Sequence, residues 1–180
     1  MEMPDLLDLY ERVSSWTLAT VRGAVGQMDR PTPCDQWDVR ALLDHMLDTQ
    51  RYFIGAARGE DVSLPAPTPP SLAGEDPVGA FERGRAELLR AFGEPGVIDK
   101  TGPALGIAFA DQLLHGWDLA KATGQDATMP EGLADAAYQM IHGRFTDEQR
   151  VGVFKPAVAT PPDATRQEQL LAYTGRDPYT

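Results

Sequence analysis

The sequence predicts an all-α protein: a four-helix bundle with an additional C-terminal helix and an irregular tail. Three observations support this prediction. Apolar residues recur at helical spacing over long segments, strand patterns are nearly absent, and prolines and glycines separate the helical segments. The chain has 180 residues and neither an internal repeat nor a convincing linker. We therefore expect a single helical-bundle domain over residues 1–180.

The first two helices and the loop between them are predicted from periodicity and proline positions. The first helix is expected at about 4–28, where apolar residues recur every three to four positions. Two prolines make residues 29–37 a loop, because a helix cannot continue through them. The second helix is expected to begin after Asp38 or Asp35, either of which is a good N-cap, and to end near Arg58.

The middle of the chain contains a long connection and two further helices. Residues 59–76 are rich in proline and are predicted to be extended, crossing the bundle or covering the mouth of a site. The third helix is expected over 76–92, followed by a break at 99–103. The fourth helix is expected from 104 to 123, ending before Gly124, a residue suited to the position after a helix.

The C-terminal part is less regular. A fifth helical pattern covers residues 131–145, and the chain becomes irregular after Arg150. Residues 151–154 form a brief strand-like pattern, and residues 167–173 form a short amphipathic turn. This part supplies the additional helix and the tail of the predicted fold.

Composition excludes several functions. The net charge is −11 and the pI is about 4.6, which argues against binding to nucleic acid or to an anionic membrane surface. One cysteine cannot form an internal disulfide, so we expect a cytoplasmic protein. The N-terminal segment lacks the basic and apolar regions of a signal peptide, and we find no apolar stretch long enough for a membrane span.

Three polar residues are candidate ligands of a divalent metal. Asp111 and His115 are four residues apart on the predicted fourth helix, so their side chains point to one side. His45 lies between Leu42 and Thr49 on the predicted second helix and faces the same way as the inner apolar stripe. The outer side of this helix is expected to carry Asp44, Asp48 and Arg51. If these helices are neighbours, two imidazoles and one carboxylate form a three-ligand site with an open position, as a catalytic metal requires.

A purely structural interpretation is open as well. A helical wheel assigns Asp111 and His115 to the apolar face of the fourth helix, together with Ile107 and other apolar residues. A buried carboxylate on that face must be paired, hydrogen-bonded or metal-bound. The two residues could therefore form a buried polar pair, with His45 as its second partner. His142 ends the fifth helical pattern and is expected at the surface or as a partner of the helix C-terminus. Cys34 is expected to serve in packing rather than as a nucleophile.

Three blocks of the chain carry a family resemblance. Residues 32–45, TPCDQWDVRALLDH, match the pattern TPC-x-x-W-x-V-x-x-L-x-x-H, and residues 111–124 read DQLLHGWDLAKATG. Both resemble signatures of the DinB-like superfamily of mycothiol-dependent maleylpyruvate isomerases. Residues 169–178, QLLAYTGRDP, resemble the closing motif of an actinobacterial subgroup of that superfamily.

The resemblance implies a DinB-type bundle that binds a divalent metal, usually zinc or nickel. It implies that the ligands are His45, Asp111 and His115, although the isomerase has glutamate, one methylene longer, at the position of Asp111. Asp118 is expected either to hydrogen-bond His115 or His45 and fix its tautomer, or to have a structural role at the helix end. Trp37 and Trp117 recur in the family signatures and are expected either to lock the second helix against the fourth or to form a wall of the pocket.

The resemblance also implies a chemistry. The family uses mycothiol, a low-molecular-weight thiol, and a metal such as zinc can hold its thiolate at neutral pH as a nucleophile. The expected function is a metal-dependent thiol transferase or isomerase acting on a small electrophilic substrate, as a monomer or homodimer. Two alternatives stay open: a biosynthetic isomerase or cyclase that uses the pocket without a thiol, and a non-catalytic metal- or ligand-binding DinB stress protein.

Overall fold

The computed structural model describes residues 5–101, 103–151 and 153–180, and its regular elements in these ranges are all helical. This confirms the predicted all-α class. The chain divides into two compact units, one ending at Thr128 and the other comprising Met129–Thr180. A single functional domain over residues 1–180 stays a prediction. Within the described ranges, no helix combines the length and the apolar character needed to cross a bilayer.

The first unit is built from four long helices and one short helix. These are α1 (Leu6–Ala24), α2 (Val39–Ala57), α3 (Pro77–Gly93), α4 (Val97–Thr101) and α5 (Ala104–Ala122). Helix α1 packs against α3 and α5, and α2 packs against the same two helices, so the four long helices form a closed ring. Helices α2 and α5 are therefore neighbours, as the predicted metal site requires.

The ends of the helices follow the capping signals of the sequence. Asp38 precedes α2, and its carboxylate accepts a hydrogen bond from the Ala41 backbone N–H at 2.9 Å. Asp76 caps α3 in the same way, on Gly79. The break predicted at 99–103 is wrong, because α4 occupies most of it; residue 102 lies outside the described residues. A five-residue helix is too short to show a repeating apolar pattern.

Helix α5 is buried around most of its circumference, which the helical wheel did not predict. Leu105, Phe109 and Leu113 are fully buried, whereas Ile107, one turn before Asp111 on the same face, is 56% exposed. A helix that is apolar on nearly every side is covered by its neighbours on nearly every side. The face that carries Asp111 is therefore the more open side of α5 and not the centre of its apolar stripe.

The proline-rich connection between α2 and α3 contains neither helix nor strand, and two carboxylates of α2 anchor it. Asp44 Oδ1 accepts hydrogen bonds from the backbone N–H groups of Leu72 at 2.8 Å and Ala73 at 2.7 Å. Asp48 Oδ2 accepts one from Ala66 at 3.1 Å. Both carboxylates are buried, although the wheel placed them on the outer side of the helix. A segment without helix or strand lacks the regular backbone hydrogen bonds of those elements, so its buried N–H groups need acceptors from elsewhere.

Replacing Asp44 with alanine is expected to lower the free energy of unfolding by about 2–4 kcal/mol, because two backbone N–H groups lose a charged acceptor. Urea denaturation followed by circular dichroism measures this difference. Asp61→Ala, an exposed aspartate on the same connection, is the matched control and is expected to change stability by less than about 0.5 kcal/mol. Equal midpoints for the two variants would show that the anchor is not important for stability.

Close packing of α1 against α5 supports the turn that carries His115. A Cβ atom on Gly116 would lie 2.7 Å from Cζ3 of Trp16 and 3.1 Å from Oγ1 of Thr17, both on α1. A side chain at this position would push the two helices apart. Gly116, which follows His115, thus allows α1 to pack closely against this part of α5.

The second unit contains α6 (Leu133–Ile141), α7 (Asp147–Arg150) and α8 (Arg166–Tyr173), and α6 packs against α8. Helix α6 confirms the centre of the predicted fifth helix, and α8 confirms the amphipathic turn at 167–173. The short α7 was not predicted. The strand-like pattern at 151–154 forms turns and bends at its described positions, and residue 152 lies outside the described residues.

Candidate metal centre

The three predicted ligands lie together at the junction of α2 and α5. His45 comes from α2, and Asp111 and His115 come from successive turns of α5. Each offers one ligand atom, and these atoms all lie within 4.8 Å of one another. All three residues are partly buried, and the Asp111 side chain is 33% exposed, so solvent reaches the cluster. The structure thus brings the three residues together, while metal binding itself stays a prediction.

His115 lies between two carboxylates. Its Nε2 is 3.5 Å from Oδ1 of Asp111, and its Nδ1 is 3.1 Å from Oδ2 of Asp118. The Asp118 side chain is fully buried, whereas that of Asp111 is partly open. The structure therefore places Asp118 against His115, and this contact directs the opposite ring nitrogen towards Asp111.

The two carboxylates change the protonation of His115. Burial by itself lowers the pKa of His115, but the charge of Asp111 and hydrogen bonds with Asp111, Asp118 and Cys34 raise it well above 6.5. Without a metal, these contacts favour the imidazolium form of the ring. A metal ion that binds here must displace that proton, so binding releases a proton.

His45 has the opposite protonation behaviour. Burial, and then the nearby positive charge of His115, lower its pKa to about 4, and the weaker effects of Asp111 and Asp48 do not reverse this shift. His45 is therefore neutral at physiological pH, the form in which histidine binds metals. Its Nδ1 is buried and has no hydrogen-bond partner among the described residues.

Trp37, in the loop before α2, forms a wall of the cluster. Its ring stacks on His45 with a centroid distance of 4.4 Å and an interplanar angle of 27°, and its centroid is 6.1 Å from that of His115. The indole N–H donates to the carbonyl oxygen of Pro67 at 3.1 Å, which connects this wall to the proline-rich segment. Sequence reasoning left open whether Trp37 locks helices together or lines the site; the structure places it in contact with both histidines.

Cys34 also reaches the site, contrary to the expectation of a packing role alone. Its thiol donates to Oδ2 of Asp118, with a sulfur–oxygen distance of 3.3 Å. Cys34, His115 and Asp118 consequently form a second group whose potential ligand atoms lie within 4.8 Å of one another. Sequence reasoning missed this contact because a loop has no periodicity from which a side-chain direction can be inferred.

His142 belongs to the second unit. It follows the last residue of α6, is exposed, and stacks on Tyr138 with a centroid distance of 4.5 Å. This confirms the predicted surface position.

The stability of the metal-free protein is expected to depend on the two site histidines in opposite ways. The raised pKa of His115 gives a contribution that is complete below pH 6.5 and lost as the pH rises through that raised value. The lowered pKa of His45 gives a contribution that is complete above pH 6.5 and lost as the pH falls towards about 4.

Urea titrations in the presence of EDTA between about pH 4.5 and 8.5 measure how the free energy of unfolding changes on the acidic and on the alkaline side. The variant His45→Gln is expected to lose less stability than the wild type as the pH falls from 6.5 towards 4.5. Its loss of stability at alkaline pH is expected to equal that of the wild type. An equal loss of stability at acidic pH in the variant and the wild type would show that His45 is protonated as easily in the folded chain as in the unfolded chain.

The donor set of the three residues fits a divalent metal such as zinc or nickel. One imidazole is already neutral, a partly exposed carboxylate stands beside it, and the second imidazole is held by a buried carboxylate, an arrangement common around histidine ligands. The unpartnered Nδ1 of His45 is a further sign that the site lacks one of its partners. Three protein ligands leave at least one coordination position open.

The fold and the site together define a class: DinB-like helical bundles with two histidines and one carboxylate converging between two neighbouring helices. The family comparison agrees with this class. The family model described as mycothiol maleylpyruvate isomerase N-terminal domain matches residues 14–120, and the chain belongs to this family. The matched range includes the three candidate ligands and also Cys34, Trp37 and Asp118, which contact them or each other.

The chain is also similar to two mycobacterial proteins. Two uncharacterized proteins, from two strains of Mycobacterium tuberculosis, are each 28% identical to this chain over 173 residues. The alignments cover 88% of this chain and 89% of each relative. No solved structure is significantly similar to the chain.

Proposed function

We propose that this chain is a metal-dependent thiol transferase or isomerase that acts on a small electrophilic substrate in the cytoplasm. Its metal is zinc or nickel, held by His45, Asp111 and His115, and its cosubstrate is mycothiol or another low-molecular-weight thiol. The protein acts on small molecules rather than on nucleic acid or membranes, as a monomer or homodimer. The observation that carries the proposal is the convergence of three donor atoms within 4.8 Å at a solvent-reachable position.

Each residue of the site has a distinct task in this proposal. His45 supplies a neutral nitrogen, Asp111 supplies negative charge on the open side, and His115 supplies a nitrogen whose ring is held by Asp118. When bound, a divalent metal supplies Lewis acidity that lowers the pKa of a thiol, so that the thiolate is present near neutral pH. Trp37 covers His45 and keeps water away from that side of the site.

The border of the site suits a small organic electrophile. Ile107 lies one turn before Asp111 on the same face of α5 and is 56% exposed. Trp37 contacts the two histidines from the loop before α2. Apolar groups beside a polar centre are typical of pockets that bind small organic substrates. In a transfer, the thiolate sulfur bonds to the electrophilic carbon and the leaving group departs with its electron pair. In an isomerisation, the sulfur adds to a conjugated double bond and leaves again after rotation.

Metal content tests the first part of the proposal. Untagged wild-type protein is expected to contain about one zinc or nickel ion per chain, and His45→Ala is expected to contain none. His142→Ala is the matched control, since it removes an exposed histidine of the second unit and is expected to keep the metal. Wild-type protein that takes up no metal even after reconstitution would contradict the proposal.

Thiol dependence tests the second part. Metal-loaded protein is incubated with a panel of electrophiles, with and without mycothiol, and consumption of both reactants is followed. Turnover is expected only when the thiol is present. Turnover without any thiol would instead favour a biosynthetic isomerase or cyclase. A tightly held metal with no turnover for any thiol would favour a binding protein.

A further inference from the structure

A small cavity lies in the first unit beside Asp111. Its volume is about 10 Å³, which is close to the space that one water molecule needs and too small for a substrate. Its polar lining consists of Tyr10, Thr49, Gln50, Asp111 and Gln112. Asp111, one of the proposed metal ligands, is therefore part of the wall of this cavity.

Two of the lining side chains have buried oxygens without a partner. Thr49 is 8% exposed and Gln112 is 6% exposed, and neither Oγ1 of Thr49 nor Oε1 of Gln112 has a hydrogen-bond partner among the described residues. The Gln112 amide N–H donates to the hydroxyl of Tyr10 at 3.2 Å, which fixes the orientation of the amide and leaves its oxygen as the free end. Native proteins rarely leave buried polar atoms in this state without an ordered water.

A single water molecule in this cavity would satisfy both oxygens. It would accept a hydrogen bond from the Thr49 hydroxyl and donate one to Oε1 of Gln112, and its second hydrogen would be left for a carboxylate acceptor. Asp111 is the acidic residue in the lining of the cavity. Tyr10 is 1% exposed, and its burial raises the pKa of its hydroxyl, so it stays protonated and offers a further donor.

We propose that one buried water occupies this cavity and that Thr49 and Gln112 hold the Asp111 carboxylate in its ligating orientation through it. The inference rests on the proposed function, since it assigns positioning residues to the same metal site. Neither Thr49 nor Gln112 touches the metal in this proposal. They act on it through the water and Asp111.

A matched pair of substitutions at one position tests the positioning role. Thr49→Val keeps the side-chain volume but removes the hydroxyl, whereas Thr49→Ser keeps the hydroxyl but removes a methyl group. Thr49→Val is expected to weaken zinc binding about 10- to 100-fold in competition with a chromogenic chelator, and Thr49→Ser is expected to retain wild-type affinity. Gln112→Met is expected to weaken zinc binding as Thr49→Val does. A role in packing alone would reverse the order of the two Thr49 variants, and equal affinities for wild type and Thr49→Val would overturn the role.

A crystal structure of the metal-free protein tests the water independently of metal binding. Density for one water is expected within hydrogen-bond distance of Oγ1 of Thr49, Oε1 of Gln112 and a carboxylate oxygen of Asp111. The Thr49→Val structure is expected to show a rotated Asp111 carboxylate. A dry cavity, or an unmoved carboxylate in Thr49→Val, would overturn the inference even if the wild type binds metal. A wild type that contains the water but binds no metal would instead overturn the proposed function.

Discussion

Replacing His115 with alanine is expected to abolish metal binding and to lower the free energy of unfolding of the metal-free protein by about 3–5 kcal/mol. The stability effect arises because His115 is in contact with two carboxylates, 3.5 Å from Asp111 and 3.1 Å from Asp118. Asp118 is fully buried, so removing the imidazolium leaves a buried charge without its cationic partner. The corresponding change at His45 removes a neutral ring and is expected to cost mainly packing energy.

Elemental analysis and urea denaturation in EDTA measure the two effects of His115→Ala separately. His45→Ala serves as the comparison: it is expected to lose the metal as well, but with a smaller loss of stability. His142→Ala controls for the removal of a histidine as such and is expected to keep both metal and stability. If His115→Ala and His45→Ala were equally stable without metal, Asp118 would have to be compensated by groups other than His115.

Replacing Asp118 with alanine is expected to weaken zinc binding about 10- to 100-fold, although this residue is not one of the proposed ligands. Its Oδ2 accepts from Nδ1 of His115 at 3.1 Å and from the Cys34 thiol at 3.3 Å. Asp118 therefore fixes the His115 ring through the nitrogen opposite the one that faces Asp111. Without it, the ring loses both its fixed orientation and the neighbouring negative charge. Asp118→Asn is expected to lie between the alanine variant and the wild type, because the carboxamide oxygen can still accept from His115.

Substitution of Cys34 distinguishes the two groups of potential ligands around His115. Cys34→Ala removes one hydrogen bond to Asp118 and is expected to change zinc affinity much less than Asp118→Ala does. Chelator competition with both variants and with His45→Ala measures the order of the effects. Loss of the metal in Cys34→Ala, together with its retention in His45→Ala, would place the metal among Cys34, Asp118 and His115 instead.

The helices that the sequence predicts correctly are those whose signals are local. Helix α2 begins at the N-cap offered by Asp38, and α3 begins after Asp76, because capping involves atoms only two or three residues away. Helix α4 was missed because five residues do not show a period. The pairing of Asp111 with His115 follows from helical spacing alone, whereas the approach of His45 depends on α2 and α5 being neighbours.

The environments of polar residues were predicted less well. Asp44 and Asp48 were placed on the outer side of their helix, but the proline-rich connection covers them and uses them as acceptors. Conversely, Ile107 was placed on the inner stripe and is exposed. A helical wheel states which residues share a face, but it does not state which face another segment covers.

By itself, the sequence determined the all-α class, the long helices, the family and the three residues of the candidate site, because periodicity, capping and spaced motifs are properties of short segments. Only the tertiary structure decided that His115 lies between two carboxylates, that Cys34 and Trp37 reach the site from a loop, and that a small cavity lies beside Asp111. These features depend on the relative placement of helices and loops that are distant along the chain. Burial and charge at the site, and therefore the protonation of its two histidines, are set by that placement.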